Sequence, residues 1–175
     1  MPISTFQISA DDVPTYQTGL IALIQDAVAD GASIGFIHPL STEDATRYWH
    51  KVQKAVANGD TVLFIGLDSD NRVAGSVQLG FATYPNGHHR LDVNKLLVHR
   101  DFRNRGIAKT LLALLEQKAR ELDKWLLVLD TVEDSVASEL YDRLGYIRAG
   151  VIPQYALSSA GHYEGTVVFY KLLKG

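Results

Sequence analysis

Three arginines, Arg100, Arg103 and Arg105, fall within six positions, and Gly106 follows directly. Residue types in this order suit an anion. A turn whose backbone amides point one way into a helix N-terminus binds phosphate with the main chain alone. A glycine lets that main chain approach closely, because it carries no β-carbon, and guanidinium groups add charge for phosphate oxygens. The flanking residues say what holds this loop. Before it, Leu91, Val93 and Leu97 alternate with polar neighbours and Leu96, Leu97 and Val98 form a short apolar run, as in a partly buried strand. After it, Ile107, Leu111, Leu114, Leu115, Ala119 and Leu122 mark one face of a helix of about four turns. A strand, a basic loop and a helix predict a phosphorylated ligand.

Other chemistry-bearing residues lie downstream. The run at 124–129 is a continuous apolar strand ending in Asp130, the pattern of a strand buried on both faces. A carboxylate at the C-terminal end of such a strand stands where open sheets put ligands. It either accepts a proton, if burial raises its pKa, or caps the following turn. The six histidines show no metal-ligand spacing, and His88 and His89 are simplest as exposed hairpin residues, so no metal is expected.

Bulk properties narrow the class. A chain of 175 residues predicts one domain spanning 1–175. With 46% hydrophobic and 21% charged residues it reads as soluble and globular. A net charge of −3 argues against a life on nucleic acid. The absence of cysteine removes disulfides, thiolate metal sites and a cysteine nucleophile, and it suits a reducing cytoplasm. No signal peptide and no apolar run of membrane-spanning length stand out, so a cytoplasmic protein without a membrane partner is expected.

The elements that must position these residues follow in order. Residues 3–9 read as a strand. A helix follows to about residue 29, capped by Asp11 and Asp12 with Pro14 in its first turn. Gly31, Gly35, Phe36, His38 and Pro39 then lie in a connection between helices; it is either an ordinary loop burying Ile34 and Phe36 or a loop facing the substrate. Ser41, three residues before Asp44, opens a second helix. Strands at 61–67, 73–81 and 91–98 form an antiparallel meander, with Asn86-Gly87 as a hairpin turn. The strand, helix and strand around the arginine loop make a parallel crossover. A helix carrying Val136, Leu140 and Leu144, with Ala137 and Tyr141 on the neighbouring stripe, stops at Gly145, and strands at 146–152 and 166–172 close the chain.

Spacing separates the phosphate motifs. A Walker A loop needs glycines where Lys109-Thr110 is preceded by Ala108 and Arg103, and a dinucleotide fingerprint needs three glycines where only Gly106 is present. Arg103-Asn104-Arg105-Gly106-Ile107-Ala108 fits Arg/Gln-x-x-Gly-x-Gly/Ala at every fixed position. In that context the segment 97–108 resembles the acyl-CoA loop of the Gcn5-related N-acetyltransferase (GNAT) family. Leu140-Tyr141-Asp142-Arg143-Leu144-Gly145-Tyr146 resembles a second hallmark of the same family. Gly19-Leu20, the stretch from Asp30 to Phe36, Leu129-Asp130-Thr131 and Ser135-Val136-Ala137 look like the tabtoxin-resistance subgroup, which detoxifies a small amino-acid-like antimetabolite.

The resemblance implies an α/β (α+β) fold: a mixed, mostly antiparallel seven-stranded sheet flanked by about four helices, with a splay between the fourth and fifth strands. It implies acetyl-CoA as donor, held in that splay. Backbone groups of Leu96, Leu97 and Val98 would align the pantetheine arm. The amides of Arg103, Asn104, Arg105, Gly106, Ile107 and Ala108, with Lys109 beside them, would hold the pyrophosphate. Tyr141 matches the tyrosine that protonates the leaving thiolate, and Asp130 is the candidate base. Two departures stand out. Asp134 occupies the place of a common asparagine, and no glutamate base stands on the central strand, where Asp92 is the nearest carboxylate. Ser33, Phe36, His38 and Asp92 are the candidate acceptor contacts. Acetyl transfer to the amine of a small molecule is the expected function, by a monomer or a homodimer. A protein or peptide acetyltransferase and a non-catalytic acyl-CoA-binding module are the alternatives. An open groove between the loops at 31–40 and 156–164 would favour the first alternative.

Overall fold

The computed structural model describes residues 3–174. Along the chain run β1 (Ser4–Ile8), α1 (Val13–Ala29), α2 (Thr42–Ala57), β2 (Thr61–Leu67), β3 (Val73–Phe81), β4 (Arg90–Val98), α3 (Ile107–Glu121), β5 (Leu126–Val132), α4 (Val136–Arg143), β6 (Ile147–Leu157) and β7 (Tyr163–Leu172). The strands form one sheet in the order β1-β2-β3-β4-β5-β7-β6. All neighbours are antiparallel except β4 and β5, which α3 joins by the expected parallel crossover.

Each face of the sheet carries its own core. Leu20, Leu23 and Ile24 of α1 and Ala45 and Trp49 of α2 pack on Leu63, Ile65 and Leu97. Leu111, Leu112 and Leu115 of α3, with Tyr141 of α4, pack on Val77, Leu79, Leu91, Leu127 and Phe169 on the other side. Each buried leucine stabilises by roughly 1.5–3 kcal/mol. Trp49 is fully buried and donates its indole N–H to the Leu20 carbonyl at 2.9 Å, which locks α2 onto α1.

Local chemistry explains most element boundaries. Ser41 Oγ accepts from the Asp44 amide at 3.0 Å and Ser135 Oγ from the Ser138 amide at 3.1 Å, so both residues cap helices. Asp12 sits at the N-cap of α1 but makes no such bond. Its carboxylate instead accepts from the Ser9 amide and hydroxyl, fastening the strand exit. Asn86-Gly87 lies in a short 3-10 turn, Pro85–Gly87, rather than in a two-residue hairpin.

Three expectations need correction. The central strand is not evenly alternating. Asn94 pairs with Gln78 and Leu97 with Ser76, so Lys95 and Leu96 together oppose Val77. This bulge, with Lys95 at φ +50°, turns Leu97 to the α1–α2 core while Leu91 and Val93 face the α3 side. Next, β5 is not buried on both faces: Leu127 and Leu129 are buried, Val128 is half-buried and Asp130 is exposed. Asp130 is also interior to the strand, with Thr131 and Val132 still paired to β7. Finally, Val136 is 81% exposed, because Tyr141 and Ser138 form the buried side of α4.

Candidate active site

The site begins where two strands part. β4 and β5 pair only from Arg90–Leu126 to Asp92–Val128. Beyond that point β4 continues to Val98 and β5 to Val132 without pairing to each other, which is the expected splay. On the side of the sheet opposite α3 the splay opens into a cleft of about 280 Å³. Asp92, Asn94, Val128, Asp130, Tyr155 and Thr166 are among the residues lining it.

At the far end of β4 the chain enters the arginine loop. Gly106 has φ +76°, and a β-carbon built there would meet nothing within 4 Å, so the backbone faces open space. Asn104 is also left-handed, at φ +60°. No side chain caps α3, and no acidic residue lies in its first turn. The positive end of the helix, with unpaired amides, is therefore presented outward. An uncapped helix start, an unobstructed glycine and no competing carboxylate in that turn fit a pyrophosphate.

The arginines have protein partners. Arg103 donates to Asp30 Oδ2 at 2.6 Å, and Arg105 donates to the Asp101 carbonyl at 2.9 Å while lying over the Phe102 ring. Arg100 binds Asp26 through both its amide and its guanidinium. Burial pushes the Asp26 carboxyl up, but Arg100 and His99 together hold it below the usual carboxylate range. Arg100 and Arg103 brace the loop against α1 and its C-cap, Arg105 braces it internally, and the uncapped start of α3 faces outward.

On β4, Leu97 is buried, while Leu96 and Val98 are half-buried against the α3 core. Tyr141 is only 6% exposed, edge-on to Tyr146 at 5.4 Å and tilted against Phe169 at 5.7 Å. Tyr146 Oη is sealed off near the Glu116 carboxylate, with no well-formed hydrogen bond among the described residues. The Tyr141 hydroxyl also lacks a partner among the described residues but keeps access to open space. Burial raises the Tyr141 pKa, and the Asp130 carboxylate raises it further. The phenol therefore holds its proton across the physiological range. Thr166 Oγ1 donates to the Thr131 carbonyl at 2.9 Å and has a longer contact of 3.4 Å to Asp130 Oδ2. Asp92 lies in the same cleft as Asp130, with only a loose 3.7 Å contact to Arg90.

A model of the acetyltransferase (GNAT) family matches residues 22–146. The chain belongs to that family. It is an acetyltransferase of the GNAT type. Its fold is shared with a protein of Acinetobacter baylyi ADP1 assigned as an acetyltransferase (18% identity, TM-score 0.81, 98% of this chain and 92% of that one). It is shared too with an N-acetyltransferase of Staphylococcus aureus Mu50 (17%, 0.80, 99% and 100%). A third is yncA of Salmonella typhimurium, assigned as an acetyltransferase and solved with its cofactor acetyl-CoA (16%, 0.77, 100% and 96%). At these identities the likeness is one of fold.

Of its four expected acceptor contacts the acetyltransferase places only Asp92 in the cleft. Phe36 packs edge-on against Tyr48 at 5.5 Å and lines a separate hollow with Pro39, Leu40 and Arg47. Ser33 is exposed and lines neither cavity. His38 is exposed, and its amide donates to Ser159 Oγ at 3.0 Å, so the α1–α2 loop touches the tip of the β6–β7 hairpin. Four residues near the cleft escape the sequence patterns. Asn94 and Thr166 reach it through strand register, and Tyr155 through the irregular stretch of β6 between Ile152 and Ala156. Lys95 is half-buried at the bulge, where burial lowers its pKa and the Asp130 charge partly opposes that. An unusual backbone conformation at a lysine has no signature in composition or period. Among the described residues no cluster of His, Cys, Asp and Glu could hold a metal ion, and no helix is long and apolar enough to cross a membrane.

Proposed function

We propose that this acetyltransferase passes the acetyl group directly to the amine of a small molecule, with donor and acceptor bound together. The observation that carries this is the contact between the two acceptor-side loops, His38 N to Ser159 Oγ at 3.0 Å, beside a cleft of about 280 Å³. A cleft of that size lies at the lower end of the range for small-ligand pockets. A peptide substrate needs a groove that runs open between those loops.

In this reading the amides from Arg103 to Ala108, with Lys109 beside them, hold the pyrophosphate at the start of α3. Backbone groups of Leu96, Leu97 and Val98, on the part of β4 that does not pair with β5, align the pantetheine arm along the splay. Acetyl-CoA supplies the thioester carbonyl that a neutral amine attacks. Asp130, exposed in the cleft, takes the proton the amine gives up, directly or through water, and Asp92 across the cleft draws in the cationic acceptor. Tyr141, which burial and Asp130 keep protonated, is the hydroxyl that donates to the sulfur as the thiolate leaves. No acyl-enzyme is required, and the chain has no cysteine to form one. The resemblance to tabtoxin-resistance enzymes favours amino-acid-like acceptors and a role in detoxification within the cytoplasm.

A thiol-release assay over amino acids, polyamines, aminoglycosides and short peptides tests the proposal. Turnover is expected with one of the small amines. Turnover with peptides alone would overturn the acceptor class, and tight CoA binding without release for any amine would favour the binding module.

A further inference from the structure

One charged side chain in the splay has no role in that scheme. Lys95 stands at the bulge where β4 has just left β5, three residues past the last pair, Asp92–Val128. It is a lysine with φ +50°, a conformation that costs an ordinary side chain about 1–3 kcal/mol and persists where surrounding structure enforces it. It is half-buried, and among the described residues its ammonium makes neither a hydrogen bond nor an ion pair. A partly desolvated cation without an acceptor is unfavourable, so the site is built for an anion the chain itself does not provide. Asp130, on β5, is the charged group that acts on it, from beyond ion-pair distance. Asp92 lines the cleft on the β4 side, and Tyr141 of α4 feels the same Asp130 carboxylate.

The opposed charges match the reaction. As the amine nitrogen bonds to the carbonyl carbon and the carbon–sulfur bond breaks, the electron pair leaves on sulfur and the nitrogen loses a proton. Negative charge thus builds on the donor side while positive charge must be relieved on the acceptor side. We propose that Lys95 is a catalytic residue of the transfer, its ammonium meeting the negative charge that forms on the donor thioester across the splay from Asp130. A fixed cation aimed at charge that develops only during reaction is worth far more in a partly dry site than in water. Burial also makes Lys95 a stronger acid than a free lysine, so it can share the thiolate's proton with Tyr141. The inference rests on acetyl-CoA occupying the splay, and it does not depend on which amine is the acceptor.

The test therefore needs no acceptor. CoA is bound to the wild type and to Lys95→Met, and the bound thiol is titrated by its ultraviolet thiolate absorbance, with CoA affinity by calorimetry and melting temperature as controls. Replacement by Met is expected to raise the midpoint of the bound thiol by about one pH unit, with CoA still bound. Lys95→Arg keeps the charge and should keep most of the depression. With an acceptor in hand, kcat of Lys95→Met should fall roughly 100-fold with little change in KM. In the wild type the rate should decline as pH rises through the lysine's lowered pKa, and Lys95→Arg should lack that decline. An unchanged thiol midpoint overturns the proposal. So does a rise in acceptor KM alone, which makes Lys95 an acceptor contact, or a loss of CoA affinity in a normally melting variant, which makes it a donor anchor. If Met does not fold there, Lys95→Gln carries the same test. If even the wild type fails to bind CoA, the donor site itself is misassigned.

Discussion

The arginine loop and the α1–α2 loop are held very differently. The arginine loop is pinned from several sides. Phe102 is buried beneath it with Arg72 and Arg105 over its ring, and Arg100 and Arg103 bind Asp26 of α1 and Asp30 at its C-cap. The α1–α2 loop has Phe36 against Tyr48, Gln25 donating to the Leu40 carbonyl, and one hydrogen bond to the hairpin tip. The strands behind them differ in the same sense. β2 and β3 are buried over most of their length, whereas β6 is exposed almost throughout. In the proposed function, the half that would receive the donor is the rigid, over-determined one. The half that would meet the acceptor is lightly held, so its shape can change with little effect on the fold.

Variants can break or sharpen this contrast. The largest effect is expected from Tyr141→Phe, which removes only a hydroxyl from a well-packed ring. We expect kcat to fall roughly 100-fold or more with CoA affinity intact. Turnover that persists would move the acid elsewhere, and Lys95 would be the next candidate. Asp130→Asn comes second, at roughly 10- to 100-fold near neutral pH. Its deficit should shrink as pH rises, because the acceptor amine then loses its proton unaided. A deficit that stays constant with pH would give Asp130 a positioning role only.

Gly106→Val tests the pinned loop. A branched side chain at φ +76° costs about 1–2 kcal/mol and projects into the space before the helix. The KM for acetyl-CoA should rise about 10-fold, with the KM for the acceptor unchanged. The smallest effect belongs to the lightly held loop. Ser159→Ala removes the partner of the His38 amide, and a lost exposed hydrogen bond of about 1 kcal/mol should raise the acceptor KM only a few-fold. If Ser159→Ala instead disturbed acetyl-CoA binding as much as Gly106→Val does, the two halves would not be separable.

The residues that could be placed from the chain alone belong to the rigid half. Strand alternation, the helix stripe after Gly106 and the serine caps are local patterns, since a side chain three or four residues away decides them. The arginine loop is a local pattern too, because its left-handed turn needs Gly106 whatever surrounds it. Asp130 marks the limit. Its run of apolar neighbours reads as a strand sealed on both faces, yet the splay removes the neighbour on one side and leaves it exposed. Phe36 and Ser33 show the same limit for loops, whose paths depend on what they pack against. Lys95 shows it for the main chain: the bulge arises from pairing with β3, so no residue type announces it.

The sequence by itself determined the order of elements, the left-handed glycine turn before α3 and the tyrosine-bearing helix α4 downstream of it, because spacing along the chain encodes them. Only the tertiary structure decided that β4 and β5 separate after Asp92. That separation brings Asp92, Asp130 and Thr166 to one cleft and, among the described residues, leaves Lys95 without a hydrogen bond or ion pair, while packing elsewhere joins the α1–α2 loop to the β6–β7 hairpin. These depend on strand register and on contacts between residues up to 121 positions apart, as between His38 and Ser159. A local pattern cannot encode contacts at that range, because they exist only once the sheet has formed.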